Sequence, residues 1–250
     1  MLRRFRERMK AQDWFGVGIE LLIVAIGVFL GMQVSNWNDD RVAHERGQAY
    51  RAQIVADVQT NERELSILTD YYGQVRQHAL AALAALDRAP GPGDAQFVVD
   101  AFQATQILPR PLTRSGFDEA RSSGAFENVG SSEQRRFISD YYLSLDSIAA
   151  SIGHTMPYRD LVRARVSVMV QEKVQAACGD RSDTSRFTVV LPASCAPNLT
   201  GAEVAQAAQM VRATPGILDA LTRQISELDQ DLRLLPLLGS TAHGVARRLL

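Results

Sequence analysis

The hydrophobic pattern changes period once along the chain. From Trp14 to Val34, WFGVGIELLIVAIGVFLGMQV, residues are apolar almost without interruption, with Glu20 and Gln33 the polar exceptions. Such a run predicts a helix that is apolar all round, and its 21 residues would reach about 31 Å, matching a bilayer's hydrocarbon core. Trp14 and Trp37 bracket the run, where an indole keeps its ring apolar and its N–H wet. The competing readings are a cleaved signal peptide and a core helix of a soluble protein. A signal peptide has an apolar region of about 7–15 residues that ends at small residues before a cleavage site. This run instead leaves through Gln33-Val-Ser-Asn-Trp37-Asn38, with no such site. The pattern predicts an uncleaved signal anchor, with a basic tail over 1–13 and a transmembrane helix over 14–35.

The flanking charges predict its orientation. Arg3, Arg4, Arg6, Arg8 and Lys10 precede the run against Glu7 and Asp13, while Arg41, Arg46 and Arg51 follow it against Asp39, Asp40 and Glu45. Basic excess stays cytoplasmic, so the amino end is expected inside and everything from about residue 38 outside.

Beyond the run, apolar residues recur at helical spacing. Leu65, Leu68, Tyr72, Val75, Ala79, Ala82 and Leu86 lie three and four apart, forming one seam. Ile54 and Val58 extend it upstream, and Asn61 interrupts it. No proline falls between Val42 and Asp87, so a stalk and first bundle helix is expected over 36–88, continuous with the membrane segment. Ala89-Pro-Gly-Pro-Gly93 ends it.

The remainder, 89–250, is shorter-grained. Asp94 is expected to cap a helix to about Gln106, before a break at Pro109 and Pro111. A short helix follows over Ser115–Ser123, closed by Gly124. Ser131 with Gln134 makes a capping-box pattern that opens a helix with core positions Ile138, Tyr141, Leu145, Ile148 and Ile152, stopped by Gly153. Thr155 and Pro157 start another, to about Ala177, and Phe187 to Leu191 is a candidate extended stretch. Thr200 with Glu203 is a second capping box, leading into Val204, Ala207, Ala208 and Val211. Thr214-Pro215 is expected to start a last helix carrying Leu218, Leu221, Ile225, Leu228, Leu232 and Leu235. LRLLPLLGS is too short for a second span, and Pro236 breaks it. The predicted fold is all-α: a single transmembrane helix, then an extracytoplasmic bundle of about four main helices, the last packed on Leu65–Leu86.

One face of the span is unlike the others. Gly16, Glu20, Gly27 and Gly31 fall within a stripe of about 60° at helical periodicity. Gly27-Val-Phe-Leu-Gly31 is a G-x-x-x-G pair, which lets a second helix approach closely. A carboxylate at Glu20 is costly against lipid and favours protein, water or a cation, unless it sits among cytoplasmic headgroups and merely orients the helix.

Composition narrows the class. The 250 residues carry 27 basic and 28 acidic side chains, a net charge of -1, which argues against a dedicated nucleic-acid binder. Two cysteines are too few for a four-thiolate zinc site. Cys178 and Cys195 flank a polar loop, and pairing them suits an oxidising compartment; two unrelated buried thiols are the alternative. Asn198-Leu-Thr200 fits a glycosylation acceptor, relevant only in a eukaryotic secretory route.

Two stretches together resemble an uncharacterised bacterial family of single-pass membrane proteins known only as a domain of unknown function. The first is Gly18-Ile-Glu20 through Gly27, Gly31 and Gln33 to Asn36-Trp37-Asn38, similar to that family's apolar segment with an early glutamate and an N-W-N exit. The second is Thr113-Arg-Ser-Gly-Phe117-Asp118-Glu-Ala-Arg-Ser122-Ser123-Gly124, with Tyr141-Tyr142 downstream. Ala120-Arg121 departs from the family's usual leucine. The resemblance implies an anchored helical protein in a bacterial inner membrane with a periplasmic domain, and it implies no activity.

Catalytic patterns are missing: there is no G-x-x-x-x-G-K-[ST], no G-x-S-x-G and no H-E-x-x-H. His154 near Ser151 and Thr155 reads as a helix-junction residue. Asp39-Asp40 and Asp118-Glu119 read as acids at helix starts. Arg159, Arg163 and Arg165 suit an anion, or equally a solvated helix face. The sequence therefore predicts a non-enzymatic protein without catalytic residues, metal or cofactor. Its expected partners are the membrane and, through the Gly16–Glu20–Gly27–Gly31 stripe, itself or a larger membrane complex. The alternative is a sensor-like bundle that binds an unidentified small ligand and signals through a partner.

Overall fold

The computed structural model describes residues 14–152, 157–183 and 188–250. Among them are eight α-helices, one 3-10 turn and a two-stranded hairpin, so the chain is all-α. The framework is α1, Trp14–Leu86, 73 residues without a break. Nothing in its sequence stops it earlier, since prolines begin only at Pro90. Its seam is realised in full: Leu65, Leu68, Tyr72, Val75, Ala79, Ala82 and Leu86 are all buried, as are Ile54 and Val58. The first part of the same helix differs completely. Every residue from 18 to 41 is exposed.

Short elements follow: α2 (Asp94–Gln103), α3 (Ser115–Ser122), a 3-10 turn (Ala125–Asn128) and α4 (Ser132–Ile152). Gly124 closes α3 with a φ of 74°, the left-handed conformation glycine tolerates best. Ser131 and Gln134 exchange the expected capping-box bonds, Gln134 N to Ser131 Oγ at 3.2 Å and Ser131 N to Gln134 Oε1 at 2.9 Å. Ile138, Tyr141 and Leu145 face the core from α4, with Ile148 at its edge; the Ile152 side chain lies outside the described residues. Asp94 is the first helical residue of α2 rather than its cap. Its carboxylate accepts from Gly91 N at 3.3 Å and pairs with Arg212 at 2.7 Å, and α2 stops at Gln103, short of the expected Gln106.

The single helix expected to run to Ala177 is two, α5 (Pro157–Arg165) and α6 (Val168–Cys178). Ser167 makes the break. Its backbone is extended and its hydroxyl accepts from Val170 N, while Gln171 Nε2 donates to the freed carbonyls of Arg163 and Val166, each at 2.8 Å. The disulfide-bonded Cys178 and Cys195, Cα atoms 5.6 Å apart, enclose a hairpin of β1 (Arg181–Asp183) and β2 (Thr188–Val190), antiparallel with Arg181 opposite Val190. Phe187 lies outside the described residues. Closing a loop of this size stabilises the fold by about 3 kcal/mol in the chain-entropy model.

The last two helices are α7 (Gly201–Arg212), with the Thr200–Glu203 capping box in place, and α8 (Ile217–Leu249). Two expectations fail here. Thr214 and Pro215 lie outside α8: the Thr214 hydroxyl donates to Met210 O at 2.7 Å at the end of α7, and Gly216, φ 75°, starts α8. The helix therefore buries Ile217 and leaves Leu218 45% exposed. Nor does Pro236 break the helix. A proline inside a helix costs about 3 kcal/mol, but Leu235 and Leu238 on either side are buried, and Ala242, Val245, Ala246 and Leu249 continue the packing. Antiparallel pairing with α1 is fixed along its length by Arg51 Nε to Leu249 O at 2.6 Å, Glu62 with His243 at 3.0 Å, and Arg76 with Asp229.

The bundle grips α1 first at Gly47. A Cβ there would lie 2.6 Å from the Asn128 carbonyl carbon, so the 3-10 turn sits directly on the helix backbone. At Gly73, a Cβ would meet nothing within 4 Å. Alanine in a helix ordinarily gains about 1 kcal/mol over glycine. In chemical denaturation, Gly73→Ala should show that gain, whereas Gly47→Ala should lose about 1–3 kcal/mol to overpacking. Equal effects would contradict the close approach.

Candidate functional site

Three places combine the residues singled out by sequence. The first is the amino-terminal part of α1, which is long and apolar enough to cross a membrane by length and composition, with none of its apolar window buried. Leu21 is 71% exposed and Trp37 69%. The Glu20 side chain is exposed, and a Cβ at Gly27 or Gly31 would meet nothing within 4 Å. Gly16 and Trp14 lie in the first turns of α1, and their side chains fall outside the described residues. Glu20, Gly27 and Gly31 of the stripe thus stand clear of the rest of the described chain. Asp39-Asp40 lies inside α1, not at a helix start, so its acids do not serve a helix dipole.

The second place gathers the Thr113–Gly124 motif, Tyr141-Tyr142 and α1. Asp57 on α1 caps α3 from outside, one oxygen accepting from Gly116 N at 2.8 Å and from Ser115 Oγ at 3.4 Å, the other from Thr113 Oγ1 at 3.3 Å. One turn on, Asn61 makes a reciprocal pair with Thr113, its Nδ2 donating to Thr113 O and its Oδ1 accepting from Thr113 N, both at 2.7 Å. Gly116 fits because a Cβ there would lie 3.1 Å from the Gln53 carbonyl carbon. Phe117 stacks on Tyr142 with centroids 4.3 Å apart, and Arg114 bridges Asp118 at 2.9 Å and Asp146. Burial pushes the Tyr141 hydroxyl up to about 12, with Asn61 opposing, and it pushes Tyr142 higher still, reinforced by the Asp57 charge. Both stay protonated at neutral pH, and Asp57 is committed to three donors. The motif is a clamp that fixes α3 on α1. Asn61, which looks like a flaw in the seam, is its centre; Asp57 gave no signal in the spacing.

The third place is the carboxyl end of α2. Gln103 and Thr105 are fully buried and Gln106 nearly so. Arg159 Nη1 donates to Thr105 O, Arg163 Nε to Thr105 Oγ1 at 2.8 Å, and Arg163 Nη2 to Gln106 Oε1 at 3.3 Å. Gln106 also donates to Gln103 and to Gln175, each at 3.0 Å, and Gln103 donates to Cys178 O. Tyr71 donates to Asp180 at 3.0 Å, and Gln74 Oε1 accepts from Leu191 N at 2.7 Å. This polar layer ties α2, α5, α6 and the disulfide hairpin to α1. Arg159 and Arg163 therefore point inward, while Arg165 is exposed.

His154 lies outside the described residues. Among the described residues, no group of three or more His, Cys, Asp or Glu side chains has the arrangement to hold a metal. No family model, no curated protein and no solved structure matches the chain.

The clamp makes a prediction that opposes the seam. Asn61→Leu would complete the apolar repeat, yet it leaves the half-buried Thr113 N–H and C=O without their partners, at up to about 1–3 kcal/mol for each group. Thermal unfolding should show a clear loss of stability. A gain would mean the reciprocal pair is dispensable.

Proposed function

We propose that this protein is a membrane-anchored structural or accessory subunit, held in a bacterial inner membrane by residues 14–35 with its helical domain in the periplasm. One observation carries the reading: the apolar length of α1 is unburied, yet it belongs to the same unbroken helix as the core seam. Apolar surface of this extent needs a cover, and a hydrocarbon core of about 30 Å matches its length. The Cys178–Cys195 disulfide supports an oxidising compartment for the bundle. The basic tail supports a cytoplasmic amino end.

The bilayer alone leaves the Gly16–Glu20–Gly27–Gly31 stripe unexplained. Small residues let a second helix approach, and Glu20 gains from facing protein rather than lipid. The span accordingly associates with a second copy or with a helix of a larger complex.

Crosslinking in native membranes tests this, followed by sizing in mild detergent. Because Gly27 and Gly31 lie clear of the bundle, Gly27→Ile with Gly31→Ile perturbs association without touching the fold. The wild type should yield a dimer or larger species that the double variant loses. A monodisperse monomer, or an assembly indifferent to both substitutions, would refute the docking role.

A further inference from the structure

Arg159 and Arg163 are one helical turn apart on α5, both half-buried and both turned toward the carboxyl end of α2. Like charges so placed repel, and burying a cation is costly without a counter-charge. Among the described residues, no carboxylate lies within salt-bridge distance of either; Asp180, the acid in the same network, accepts from the Tyr71 hydroxyl instead. What offsets the charge is weaker: the terminal carbonyl of Thr105, two side-chain oxygens and the face of Phe102, 3.9 Å from the Arg163 guanidinium carbon. Burial, followed by the neighbouring Arg159, lowers the Arg163 pKa to about 10. A guanidinium carries five N–H donors. The contacts to α2 take one from Arg159 and two from Arg163.

We propose that Arg159 and Arg163 together bind a small soluble anion of the carboxylate or phosphate class, whose oxygens would accept from the guanidinium N–H groups that the α2 contacts leave over. A lipid headgroup is the wrong source. Arg159 lies close enough to influence Tyr71, and Tyr71 is about 55 Å along α1 beyond Val34 at 1.5 Å per residue. The site stands apart from the anchoring role and holds whether or not the span lies in a bilayer.

The test is titration calorimetry and thermal unfolding of the full-length protein in detergent, with sodium phosphate and sodium succinate at constant ionic strength. At least one should bind saturably and raise the melting temperature, and which one does so assigns the class. Arg163→Gln should weaken binding by about 10- to 100-fold, the loss expected for a charge-assisted hydrogen bond. Arg163→Lys, which keeps the charge without the fork, should also weaken it and guards against misfolding of the glutamine variant. Arg165→Gln, exposed on the same helix, should leave it unchanged. Failure of the wild type to bind either anion, or undiminished binding in the folded Arg163 variants, would reduce the pair to a cap on α2.

Discussion

A single helix faces two opposite demands in this protein. Over 54–86, α1 is the scaffold on which the other helices are assembled, its seam sealed from water. Over 18–41, every residue is exposed. Between them it has no proline, and the one buried glycine, Gly47, serves the close approach of the 3-10 turn rather than a bend. Whatever covers the apolar segment therefore sets the position and direction of the bundle, because no hinge residue separates them. That continuity makes the proposed anchor more than a tether.

Apolar packing alone does not choose the register of the shorter helices on α1. Two polar layers do. Near the middle of the helix, Asp57 and Asn61 hold the Thr113–Gly116 turn through backbone hydrogen bonds. Farther along, Gln74 and Tyr71 hold the disulfide hairpin, while Gln103, Gln106, Gln175 and the two arginines join α2, α5 and α6. Directional, part-buried bonds of this kind penalise any slip of one helix past another, since a shifted partner would leave them unpaired.

What was legible in the sequence was what depends on local spacing. The α1 seam, both capping boxes, the Gly124 stop and the cysteine pair follow from residues within a few positions of each other, or from chemistry that admits few partners. The misreadings came where a distant contact outweighed a local signal. Pro236 reads as a break, but burial of Leu235 beside α1 and of Leu238 beside α4 keeps the helix whole. Ser167 reads as an ordinary helical residue until Gln171 stabilises the interruption from the next turn. Asn61 reads as a gap in the seam because its partner, Thr113, lies 52 residues away. The inward turn of Arg159 and Arg163 is invisible for the same reason: their spacing is that of a solvated face, and only the carboxyl end of α2 reverses it.

The most direct measurement is alkaline carbonate extraction of membranes from cells producing the full chain. A parallel sample would carry Leu22, Ile26 and Leu30 replaced by asparagine, all exposed positions that contribute nothing to the core. The account predicts that the unaltered chain stays with the membrane pellet, and that the altered chain is recovered in the carbonate supernatant. Release of the unaltered chain under the same conditions would contradict it.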